Sequence, residues 1–109
     1  MRIWDISSSR LCRQHLLGEH RELHAIWSIL VNLKKGYSHH PEVLRWKGKL
    51  KALYKRHEAL CTEILSRGYN HKSPLDKKKV EGSRFQKEFI DSLIKQKHIL
   101  KNKRCNCKV

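Results

Sequence analysis

Cys12, Leu16, Leu23, Trp27 and Leu30 are separated by three, four or seven residues, and so are Val43, Trp46, Leu50, Leu53, Leu60 and Ile64. A helix turns about 100° per residue, so each set falls on one stripe, a geometry that a strand with its two-residue period does not provide. No convincing strand run and no internal repeat accompanies them. The sequence therefore specifies an all-α chain, read as a compact single-layer bundle of three main helices.

Local signals set the expected limits. Ser7-Ser8-Ser9 offers capping hydroxyls ahead of the first helix, and Lys34-Lys35-Gly36 ends it. Pro41, with φ already fixed for a first turn, opens a second helix that runs to Gly68. Ser83 and Gln86 have capping-box spacing, and Phe85, Phe89, Ile90, Leu93 and Ile94 supply the apolar stripe of a third helix ending near Lys101. Residues 69–82, with Pro74, Gly82 and Lys77-Lys78-Lys79, have no period and read as a basic, mobile connection; residues 102–109 read as a basic tail carrying Cys105 and Cys107. Ile3, Trp4 and Ile6 predict an extended amino-terminal arm beside the helices, with Trp4 in the core rather than stacked on a base. Residues 1–109 are read as one domain.

The charge narrows the function. Twenty-five Lys and Arg against 10 Asp and Glu leave a net charge of +15, a field that attracts polyanions through counterion release. Nucleic acid is the leading partner. An anionic membrane surface is the rival, but the cations are spread over the whole chain rather than along one amphipathic helix. Arg45, Lys47, Lys49, Lys51, Lys55 and Arg56 on the second helix read as a solvated face that can also flank a phosphate track. No apolar stretch approaches the roughly 20 residues that span a bilayer, and the start lacks a signal peptide's apolar region. A cytoplasmic, nucleoid-associated monomer is the expectation, with Cys12, Cys61, Cys105 and Cys107 as reduced thiols.

The chemistry gathers at Gln14–Leu23. On a helix His15, Glu19 and Glu22 share a stripe roughly 60° wide, Gln14 and Arg21 share the neighbouring one, and Gly18 and Ala25 leave a shallow floor for a bulky partner or a helix neighbour. His15 reads either as a half-buried structural histidine or as a working group. Glu19 and Glu22 read either as ion-pair partners of Arg2, Arg21 or lysines, or as carboxylates that stabilise a cation forming beside an amine. The α-amine of Met1 is the better amine nucleophile. Its reference pKa of about 7.7–8.0 leaves roughly one molecule in ten to one in six neutral near pH 7, against about one in 2,500 for a lysine. His20-Arg21-Glu22-Leu23-His24 is not the zinc-protease pattern, which needs Glu directly after the first His. Cys105-Asn106-Cys107 lacks the other two ligands of a structural zinc, so neither metal nor cofactor is expected.

Arg2-Ile3, Gln14-His15-Leu16 followed by Glu19 and by Arg21-Glu22-Leu23, and Arg67-Gly68-Tyr69-Asn70 occur in an order that resembles the pyrimidine-dimer DNA glycosylases of the phage endonuclease V type, especially their short bacterial relatives. The resemblance covers residues 1 to about 70. It implies an all-helical enzyme that needs no cofactor, cuts the glycosidic bond of a damaged base in double-stranded DNA with its amino-terminal amine, and nicks the strand by β-elimination through a Schiff base. By position, it implies that Met1 supplies the amine, that Glu22 stabilises the imine and handles protons, and that Arg2, Gln14, His15 and Arg21 hold phosphate and sugar. The bulky Arg2 should block removal of Met1, so the amine stands in register without processing. Two departures bear on which lesion is taken: a phage-type arginine is Ala25 here, and an aromatic-rich tail is replaced by Lys103-Arg104-Cys105-Asn106-Cys107-Lys108. A protein that keeps the scaffold and charge but only binds nucleic acid is the alternative; a structural or protein-interaction module leaves the charge unused.

Overall fold

The computed structural model describes residues 2–32, 39–70, 74–103 and 105–109. Four helices, α1 (Arg13–Val31), α2 (Pro41–Leu44), α3 (Leu50–Ser66) and α4 (Leu93–Lys101), are joined by irregular segments with short 3-10 turns at Ser8–Arg10 and Lys77–Lys79. Three of them are long, no strand occurs among the described residues, and the all-α reading holds. None of the described helices is long and apolar enough to cross a membrane.

The two apolar stripes meet as their spacing requires. Leu16, Leu23, Ile26 and Trp27 of α1 and Leu50, Leu53, Leu60 and Ile64 of α3 are buried in one core, joined by Val43, Trp46, Leu75 and Leu100. The arm completes it: Ile3, Trp4 and Ile6 are 2%, 5% and 3% exposed. The expectation that the arm inserts beside the helices, with Trp4 in the core, is met.

The helix limits differ from expectation at three places. Helix α1 begins after Cys12 rather than at the serines, which form the preceding 3-10 turn, and it closes at Asn32. Lys34-Lys35-Gly36 lies outside the described residues. The second helix is broken in two. Gly48 takes φ +76°, a left-handed conformation that ends the turns after α2 before α3 starts at Leu50. Its far end is as expected: Gly68 at φ +80° forms a Schellman closure, with Gly68 N–H bonded to Leu65 O at 3.0 Å and Tyr69 N–H to Ile64 O at 3.1 Å.

The third helix starts at Leu93, ten residues after Ser83, and Ser92 is its cap, with Oγ accepting from Lys95 N–H. Ser83 and Gln86 do other work. The break before α3 leaves its first N–H groups without intrahelical partners. Glu81 O and Ser83 O accept from Lys51 and Ala52 at 2.9 and 3.1 Å, Ser83 N–H reaches Gly48 O at 3.0 Å, and Gln86 Nε2 reaches Arg45 O at 2.6 Å. A segment held this way cannot wind into a helix, so Phe85, Phe89 and Ile90 stay exposed. The tether also needs a glycine. Gly82 sits at φ +83°, where a Cβ would collide with the carbonyl of Gly48. Gly82→Ala should therefore cost about 2 kcal/mol or more, read by urea denaturation. A loss no larger than that of Gly18→Ala, whose added methyl would meet no atom within 4 Å, would show that the tether bends away freely.

Candidate active site

The first turns of α1 and the arm enclose a cavity of about 380 Å³ lined by Arg2, Trp4, Gln14, His15, Gly18, Glu19 and Glu22. His15, Gly18 and Glu22 come from one face of α1 because they are three, four or seven residues apart, and Gln14 stands one turn before Gly18 beside them. Gly18 carries no side chain that would fill the middle.

The two carboxylates at this cavity differ. Glu19 is buried and takes a bidentate pair from Arg56 of α3, with Nε to Oε2 at 2.6 Å and a terminal nitrogen to Oε1 at 3.0 Å. Its Oε1 also accepts the Trp4 N–H at 2.9 Å. Burial pushes the Glu19 carboxyl above its ordinary value, and Arg56 and the Trp4 amide pull against that. Glu19 is thus committed to the structure, tying the arm to α1 and α1 to α3. Glu22, one turn on, is half-buried and has no ion-pair partner among the described residues.

The arm is pinned along its length. Arg45, 4% exposed, donates to Ile3 O at 2.9 Å, to Asp5 Oδ1 at 3.0 Å, to Glu88 O at 3.0 Å and to Glu42 Oε1 at 2.7 Å. Gln96 of α4 accepts from Asp5 N–H at 2.8 Å and donates to Asp5 Oδ2 at 3.0 Å. Arg2 pairs with Asp91 at 2.9 Å and lies over the Trp4 ring, its guanidinium carbon 4.8 Å from the centroid. Hydrogen bonds from Lys95 and Arg2 hold the Asp91 carboxyl below its ordinary value. The backbone leading back to Met1 is fixed at the rim of the cavity as far as Arg2. Met1 itself lies outside the described residues.

A family model for pyrimidine dimer DNA glycosylases matches residues 1–77. The chain belongs to that family. The matched span holds the arm, α1, α2 and α3, and with them every residue lining the cavity. No curated protein and no solved structure matches the chain. Membership makes the protein a DNA-repair glycosylase in kind and DNA its substrate.

In this glycosylase Arg2, Gln14, His15 and Glu22 line one cavity, whereas Arg21 does not join them. Arg21 is exposed and borders a second hollow with Leu17, His20 and His24. His15 is half-buried, and burial, then the charge of Lys103, holds its imidazole below the ordinary value. Ala25 is exposed and lines neither of these hollows.

Several of the residues that shape the site are not readable as site residues in the sequence. Arg45 and Arg56, expected on a solvated basic face, turn inward to carboxylates, while Lys47, Lys51 and Lys55 are exposed as expected. Between α1 and α3, beside the Glu19–Arg56 pair, His24 Nε2 lies 3.2 Å from His20 Nε2 and 3.1 Å from His57 Nε2, and Cys61 Sγ lies 3.5 Å from His57 Nε2. Burial and then the nearby Glu58 push the Cys61 thiol up to about 12. Glu22 belongs to the other hollow, so the histidines and the acid of His20–His24 do not form one centre.

Proposed function

We propose that the protein is a DNA glycosylase with abasic-site lyase activity that acts on damaged double-stranded DNA through the α-amine of Met1. The observation that carries this reading is the cavity in which Glu22, without an ion-pair partner among the described residues, faces Arg2, Gln14 and His15 at the start of a rigidly held arm.

The steps follow from that arrangement. The neutral amine attacks C1′ of the damaged nucleotide as the glycosidic bond breaks, and the base leaves with a proton. The nitrogen lone pair of the resulting secondary amine then expels O4′, which takes a proton from solvent as the sugar ring opens, and an iminium that keeps its N–H is left at C1′. The Glu22 carboxylate opposes the positive charge that develops there. It then accepts a proton from C2′, the C3′–O bond breaks, and water hydrolyses the imine to release the nicked strand. Arg2, Gln14 and His15 bear on phosphate and sugar, and Arg21, on the adjacent face of α1, contacts phosphate further along the strand. The target nucleotide must leave the stack for C1′ to reach the amine.

Borohydride reduction during incubation with abasic-site duplex DNA tests the reading. A covalent protein–DNA adduct that peptide mapping places on Met1 is the expected result. Intact DNA binding without an adduct would instead indicate a non-catalytic DNA-binding protein, and an adduct mapped to a lysine would remove the role given to Met1.

A further inference from the structure

The C-terminal tail returns to the start of α1. Lys108 N–H bonds to Arg10 O at 2.8 Å, and Cys107 and Val109 pack against the core. This brings Cys105 and Cys107 to Cys12, the residue that caps α1, and to His15 one turn later. His15 Nδ1 lies 3.1 Å from Cys12 Sγ and 3.3 Å from Cys107 Sγ, and the three sulfurs and one ring nitrogen all lie within 4.8 Å of one another. The pair that lacks two ligands in the sequence finds them in the fold.

We infer that Cys12, His15, Cys105 and Cys107 form a structural Cys3His zinc site that staples the tail to the first turn of α1. Ligands placed tetrahedrally on zinc, with Zn–S about 2.3 Å and Zn–N about 2.0–2.1 Å, stand about 3.5–3.8 Å apart. The contacts of His15 to both thiols are a few tenths of an ångström shorter than that, so a small outward movement suits these two contacts to the ion, and no two of the four donor atoms stand more than 4.8 Å apart. The backbone N–H of Cys12 points at Cys107 Sγ at 3.1 Å. Such a donor stabilises metal-bound sulfur, and the amino-terminal end of a helix favours negative charge. Three thiols that bind as thiolates release three protons, and no electron transfer is involved. Zinc on Nδ1 would leave the ring proton on Nε2. The one imidazole would then serve the staple with one nitrogen and keep a fixed donor on the other for the cavity it lines.

The His20, His57 and Cys61 group supplies the control. Protein purified under reducing conditions, supplemented with zinc and desalted, should carry one tightly held zinc per chain by elemental analysis. Cobalt in its place should give the thiolate-to-metal charge transfer and intense visible bands of a tetrahedral thiolate site. Cys105→Ser, at a half-exposed position, should weaken the charge-transfer band by about a third, as loss of one of three thiolates requires. Cys105→Ser with Cys107→Ser should lower zinc affinity at least 100-fold, whereas Cys61→Ser should leave it unchanged. Binding of no zinc, zinc lost in Cys61→Ser but kept in the tail variants, or free-thiol titration showing a disulfide among the tail cysteines would each overturn the inference. Each readout is independent of DNA cleavage, so failure here leaves the reading of the active site in place.

Discussion

Glu22→Gln should lower strand cleavage at an abasic site by about 10²- to 10⁴-fold while changing DNA affinity by less than about threefold. The amide is isosteric and keeps an acceptor oxygen, so the cavity formed with Arg2, Gln14 and His15 retains its shape. It carries no charge to set against an iminium and is too weak a base to take the C2′ proton. Because Glu22 is half-buried and has no ion-pair partner among the described residues, the fold loses little. Single-turnover cleavage and equilibrium binding, measured together, check this. Cleavage at the parent rate would assign the proton transfer to another group. A parallel loss of affinity would make Glu22 a binding residue.

The same substitution at Glu19 has a different meaning, which the sequence alone cannot supply. The two carboxylates are three residues apart on one face of α1, and spacing does not say which meets a cation. What the sequence does carry is a matched pair of interruptions. The apolar stripe of α1 is broken between Leu16 and Leu23, where Glu19 and His20 stand, and that of α3 between Leu53 and Leu60, where Arg56 and His57 stand. Two facing stripes with polar gaps at corresponding heights imply a polar layer between the helices. Arg56 on Glu19 and His57 against His24 and His20 form that layer. The signal lies in the gap, and a reading that assigns every cation of a helix to solvent passes over it.

Local cues fared according to how local the deciding interaction is. The closure at Gly68 depends on a few adjacent residues and is legible as it stands. The box of Ser83 and Gln86 has the right spacing for a helix start, but its partners, Gly48 and Arg45, lie more than thirty positions away. Tertiary hydrogen bonding overrode a weak local preference there, and the exposed Phe85 and Phe89 record the helical stripe that did not form. The tail cysteines carry the same lesson, since a two-thiol fragment declares its other ligands only once the chain closes on itself.

Arg45→Ala should unfold the protein about 3–5 kcal/mol more easily, lowering the melting temperature by about 10–20 °C. The guanidinium is 4% exposed and engages Glu42, Asp5 and the carbonyls of Ile3 and Glu88. Truncation leaves the Glu42 carboxylate buried with the Trp46 indole N–H and no cation, and a buried charge without its counter-charge is far costlier than the pair was favourable. Lys47→Ala, two residues on but exposed, should change stability by less than about 0.5 kcal/mol, which separates lost net charge from the lost clamp. The clamp also bears on chemistry. Of the arm's two links to Arg45, through Ile3 O and Asp5 Oδ1, Ile3 O is the nearer to the proposed nucleophile, two residues away, so Arg45→Ala should lower the yield of borohydride-trapped adduct even at temperatures where the variant is folded. A variant that melts within a few degrees of the parent and traps abasic DNA equally well would mean that Glu19 and Gln96 suffice to hold the arm.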